Sequence, residues 1–160
     1  MGSHRKSRFI GVSLLVFTCL ASSAHGDGPV LSNTTLALAG DFFLPSDPCL
    51  PSGESVSLSG NVHVVTKVNP TTFVGDLHLN MAGVTGVGQT SGDLYVGVGT
   101  SKSVGISLSP GPNALTATFT LEPTNGCASV PLPLNFSLNF NSDGTLNVDA
   151  SSVSVGGGGT

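Results

Sequence analysis

Apolar residues recur at every second position in run after run of this chain, and a period of two belongs to strands with one buried and one solvated face. Leu36 and Leu38 open the series near residues 34–43, and Val56, Leu58, Val62, Val64 and Val68 continue it with an interruption at Gly60. Phe73, Leu77, Leu79 and Met81 make a third run, Leu94, Val96 and Val98 a fourth, and Val104, Ile106 and Leu108 a fifth. Leu115, Ala117, Phe119 and Leu121 follow, then Val130, Leu132, Leu134, Phe136, Leu138 and Phe140, and finally Leu146, Val148 and Ala150. No segment holds a helical period for more than two turns. Short connections make successive strands antiparallel. The expected fold is therefore all-β, an antiparallel meander of about eight strands that closes as a barrel-like or half-barrel sheet, with a β-sandwich as the alternative. An outer-membrane barrel with its apolar face toward lipid is a third arrangement, disfavoured because aromatic girdles are missing.

The first residues, "MGSHRKSRFIGVSLLVFTCLASSAHGDG", place Arg5, Lys6 and Arg8 before an apolar run from Phe9 to Leu20 and then small residues. That order is a secretory signal peptide, with processing expected near His25 or Asp27. The domain plan is a leader over 1–26, one β domain over 27–155 and a flexible Gly-rich tail over 156–160. Cys19 raises lipidation, but Phe17 and Thr18 are bulky where small residues are needed. The expected location is outside the cytoplasm, either secreted, periplasmic or at the cell surface.

Once the leader is removed the charge balance changes. Only Lys67 and Lys102 remain as cations against nine acids, a net charge of −7. Neutralising a nucleic-acid backbone takes clustered Lys and Arg, so nucleic acid is excluded as a partner class. Cys49 in "PSDPCLPSG" and Cys127 in "PTNGCASVP" lie in turn-rich segments of an exported chain, and a single disulfide between them is expected. Closing so long a loop contributes about 4–5 kcal/mol in the chain-entropy model, before strain.

Strand registers turn the alternation into a site. Centring a turn on Pro70 and Thr71 pairs Val68 with Phe73, Val64 with Leu77 and Val62 with Leu79, and sets His63 directly opposite His78. Centring the next turn on Val87 and Gly88 brings Tyr95 beside Asn80 and Gly97 beside His78. The expected polar-face cluster is Asn61, His63, Asp76, His78, Asn80 and Tyr95. Opposed imidazoles with Asp76 as a diagonal third ligand would suit Zn or Cu, although a plain polar surface carries the same residues. Further along, a three-residue Ser142-Asp143-Gly144 loop pairs Phe140 with Leu146 and Leu138 with Val148, and the "SPGPN" turn allows Leu108 opposite Leu115.

No nucleophile elbow, zincin helix motif or phosphate loop occurs, so no enzyme is expected and no cofactor beyond the metal alternative. Thr116, Thr118 and Thr120 share a face, which ordinary β propensity accounts for. Asn33 and Asn135 head glycosylation sequons, relevant only in a host that modifies exported chains. The segments "GESVSLSGNVHVV" (53–65) and "MAGVTGVGQTSGDLYVGVG" (81–99) resemble those of a group of bacterial exported β proteins with GE-x-V-x-L-S-G-x-V-H and G-V-x-G-x-G-x-x-[ST]-G-x-x-Y patterns. The resemblance implies a secreted β domain and no particular activity. The expected function is an exported non-enzymatic β domain binding a small apolar or amphipathic ligand in or on the sheet. The alternatives are a structural surface or interaction module without a pocket, and a metal site at the cross-strand histidines.

Overall fold

The computed structural model describes residues 28–48, 50 and 52–156. The expected leader with Cys19, the expected bridge residue Cys49 and the expected tail beyond Gly156 lie outside the described residues. The eight expected strands form: β1 (Val30–Leu44), β2 (Glu54–Val68), β3 (Val74–Gly88), β4 (Leu94–Val98), β5 (Thr100–Ser107), β6 (Gly111–Pro123), β7 (Val130–Phe140) and β8 (Leu146–Val155). All pairings are antiparallel within one sheet, in the order β1-β2-β3-β4-β6-β7-β8, with β5 also on β3. β8 comes back beside β1, where the Leu146 N–H donates to Ser32 Oγ at 3.0 Å, and the sheet is a nearly closed barrel. The sandwich alternative is not adopted.

The apolar face turns inward. Leu36, Leu38, Val56, Leu58, Val62, Val64, Leu79, Leu121, Leu132, Leu134, Phe136 and Leu138 are among the buried residues that fill one continuous core. Outward positions of β2 and β7 are mostly Ser, Asn and Lys, whereas those of β1 mix Asn, Thr and Asp with Leu31, two alanines and Phe43. At this level the alternation reads through directly, because β1, β2, β6 and β7 keep one phase along their length.

Four expectations about register are corrected. In the β2–β3 hairpin Val68 pairs with Gly75, Val64 with Leu79 and Val62 with Met81, two residues away from the expected partners. A two-residue hairpin turn needs positive φ at its first central residue. Pro70 cannot supply that, because its ring locks φ near −65°. The chain instead takes a longer loop in which Asn69 Oδ1 accepts from the N–H groups of Thr71 (2.9 Å) and Thr72 (3.0 Å), and Phe73 turns at φ 51°.

The second correction reverses β4. Ser59 pairs with Thr85 but Asn61 with Ala82, so β3 carries one extra residue around Gly83, whose φ is 77°. A bulge changes which face each later residue occupies. Inward positions switch from Leu77 and Leu79 to Val84, Gly86 and Gly88. The next turn closes at Gly88 and Asp93 rather than at Val87, so Tyr95 pairs with Gly86 and points inward, while Leu94 and Val96 face out.

Third, β5 and β6 do not form a hairpin ladder. β5 stays on β3, and β6 pairs with β4 from Tyr95↔Pro123 to Val98↔Thr120 and then with β7 throughout. A second bulge at Gly105 (φ 64°) turns Val104 outward, 66% exposed. Fourth, Phe140 does pair with Leu146 through the Ser142–Gly144 loop, with Gly144 at φ 83°, but three added residues on β8 shift the ladder next to Ser137. Leu138 therefore does not meet Val148, which is exposed.

Candidate binding site on the outer wall

Across β1, β2, β3 and β5 the ladders set outward side chains in rows. One row holds Leu31, Lys67 and Asp76; the next holds Asn33, Val65, His78 and Lys102; the third holds Thr35, His63, Asn80 and Thr100. His63 therefore faces Asn80, and His78 faces Val65 on one side and Lys102 on the other. The two histidines share a face but are diagonal, because the longer Pro70 loop slides β3 by two positions. Asn61 lies opposite Ala82 and Ala37 rather than Asn80, and Lys67, not Val65, is opposite Asp76.

His63 Nε2 meets Asn33 Oδ1 at 2.5 Å across β1. Asp76 Oδ1 accepts the Gly105 N–H at 3.0 Å, so its carboxylate holds the β5 bulge. Among the described residues no group of three or more His, Cys, Asp or Glu side chains comes together as a metal site. The rows explain this: the neighbours of His78 are a lysine and a valine, and the extra partner of His63 is an amide.

What the rows do build is a shallow depression of about 200 Å³ lined by Leu31, Val65, Lys67, Asp76, Leu77, His78 and Lys102. Val65 is short, and longer side chains stand around it. The two lysines that follow residue 8 in the whole sequence, Lys67 and Lys102, are both here. Periodicity placed Asp76 and His78 on this face, but Lys67 was not singled out, and the contribution of Lys102 needed the β3–β5 pairing, which short-range reasoning assigned elsewhere.

A second polar cluster sits inside one end of the barrel. Glu54 is 4% exposed, and its carboxylate accepts from the Ser91 N–H (3.0 Å), the Thr90 N–H (3.3 Å), Ser91 Oγ (2.9 Å) and Tyr95 Oη (2.8 Å). Burial by itself raises the Glu54 pKa, but the hydrogen bonds from Ser91, Tyr95 and Thr90 outweigh it and hold the carboxyl below its ordinary value. Burial and then the adjacent Glu54 carboxylate push the Tyr95 phenol up. Space for this carboxylate comes from Gly88, where a Cβ would lie 2.5 Å from both Glu54 oxygens. Tyr95 was expected on the outer face; the bulge at Gly83 brings it in. Glu54 shares the phase of Val56 and Leu58, which is the signal by which it could have been recognised as inward.

Beside Tyr95, Leu44, Asp47, Leu50, Pro123 and Cys127 line a crevice of about 10 Å³, space for a single water. The expected Cys49–Cys127 pairing lies outside the described residues, since Cys49 does. Among the described residues no helix is long and apolar enough to cross a membrane. Comparison with protein-family models, curated proteins and solved structures finds no match to this chain.

Proposed function

We propose that this chain is an exported, non-enzymatic β domain that binds a small amphipathic ligand on the outer wall of its sheet. The observation that supports the wall over the interior is the contrast in space. Core side chains such as Val56, Val62, Leu132 and Leu134 have no exposed surface, and the crevice beside Tyr95, among the described residues, has room for about one water, whereas the depression around Val65 measures about 200 Å³. Ligand sites combine an apolar floor with a few polar groups that orient the occupant, and Leu31 and Val65 beside Lys67, His78 and Lys102 supply that combination.

Amide shift mapping with octanoate, octyltrimethylammonium and octyl glucoside tests this reading. Shifts clustered at Val65, Lys67, His78 and Lys102 with at least one of the three are expected. Shifts concentrated at the inward Leu134, Phe136 and Leu138, or none with any probe, would overturn it and leave an interior site or a structural module instead. Export carries its own expectations: an N-terminus near His25 or Asp27, and a Cys49–Cys127 disulfide that appears in non-reducing peptide mapping as one cross-linked pair. Recovery of both cysteines as free thiols from secreted protein would remove the bridge.

A further inference from the structure

The outer-wall depression differs from the rest of the molecule in sign of charge. Beyond residue 8 the sequence holds nine carboxylates and two lysines, and both lysines line this one depression with His78 between them. Their convergence is a product of topology. Lys67 comes from β2 and Lys102 from β5, which are joined only through β3, where His78 pairs with Lys102 and Asp76 with Lys67. The single acid of the lining, Asp76, is half-buried and directs one oxygen to the Gly105 N–H, so it anchors the bulge. Two ammonium groups against one carboxylate leave the lining at +1, His78 not counted.

The apolar part lies on one side. Leu31 is 67% exposed directly across the ladder from Lys67, and Val65 forms the half-buried floor between Asn33 and His78. Two rows beyond Val65, β1 and β2 present the small, uncharged pair Ala37 and Asn61. A cation next to an exposed leucine on an acidic protein is suited to an anion that brings its own apolar chain.

Resting on the outer-wall reading, we infer that the depression binds a small oxyanion carrying a short apolar chain. Its head lies between Lys67 and Lys102 within reach of His78, and its chain lies on Val65 and Leu31. The lysine stems cover the edge of the apolar floor while their ammonium groups stay in water, an arrangement that long cationic side chains favour. Because the pairing is exposed, each lysine contributes modestly and the site weakens as salt rises.

Calorimetric titration of the mature protein with octanoate, acetate, inorganic phosphate and octyltrimethylammonium tests the inference. Octanoate should bind about tenfold more tightly than acetate, and the Lys67→Gln, Lys102→Gln double variant should lose about tenfold for octanoate, the effect of two exposed charge pairs. Leu31→Ser should weaken octanoate and leave phosphate unchanged. Both lysines are exposed and outward, so the variants test binding in a folded chain, which a circular dichroism melt verifies. Octanoate affinity unchanged in the double lysine variant, or equal affinity for octyltrimethylammonium at the same residues, would overturn the anion inference while leaving the outer-wall reading standing. Phosphate binding as tightly as octanoate, with no effect of Leu31→Ser, would overturn the apolar half. Failure of the outer-wall reading itself is separate, since it shows as interior shifts or no binding of any amphiphile.

Discussion

At the residue scale, inward polar side chains divide by whether they are satisfied. Glu54 has donors on both oxygens, and Tyr95 spends its hydroxyl on it. Tyr95→Phe removes one bond to a charged acceptor and should cost about 1.5–3 kcal/mol in urea unfolding. The Glu54 carboxyl sits below its ordinary 4.5 in the folded chain, so its contribution is fully present above that value and is lost as pH falls through the folded pKa. Acid unfolding of the wild type should therefore steepen below 4.5, and Glu54→Gln should flatten that dependence; parallel curves for the two would refute the assignment. Thr66 is the opposite case. It is 1% exposed between Val64 and Val68, and its hydroxyl finds no partner among the described residues. Thr66→Val keeps the shape and drops the orphan group, so a gain of about 1 kcal/mol is expected, read as a higher urea midpoint at constant m-value.

At the element scale, the bulge in β3 decides which side of β4 meets the core. It depends on close backbone approach: a Cβ on Gly60 would lie 2.5 Å from the Gly83 carbonyl oxygen and 2.6 Å from Val84 Cα, at a φ of 141°. No flexible side chain is available to move aside. Gly60→Ala should therefore destabilise the domain by about 3 kcal/mol or more, while Gly28→Ala, which meets nothing within 4 Å, should lie within about 0.5 kcal/mol of wild type. Equal melting temperatures for the two variants would show that the bulge relaxes at little cost. The β2–β3 loop carries a related lesson. Pro70 excludes the two-residue turn by its own ring, so the slide that separates His63 from His78 was readable from a local rule that the alternation alone does not contain.

At the scale of the whole molecule, the sheet is held unevenly. β2 is flanked by β1 and β3 along nearly its full length, but among the described residues β5 pairs only with β3 and leaves the wall toward β6 unsealed. An unpaired edge exchanges its amides through small local openings, whereas a central strand needs much larger ones. Hydrogen exchange should thus protect Val62, Val64 and Thr66 the longest and release Ser101, Ser103 and Ile106 early; uniform protection across β5 and β2 would mean that the seam is closed in solution. The same seam explains why Lys67 and Lys102 share a depression. With β5 held on β3, Lys102 lies beside His78; a β5–β6 ladder in its place would not have required that meeting.

Strand number, the all-β class and the inward faces of β1, β2, β6 and β7 follow from period-two patterning alone, since each of those strands keeps one phase and the hydrophobic effect selects the face. The burial of Glu54 was encoded in the same phase. Tertiary structure decided the rest: the reversal of β4, the burial of Tyr95, the parting of β5 from β6 and the gathering of Lys67, His78 and Lys102. The reason is that a bulge or loop of one or two residues costs little locally but changes every partner beyond it. Only the closed set of pairings around the sheet determines which of those small shifts the chain adopts.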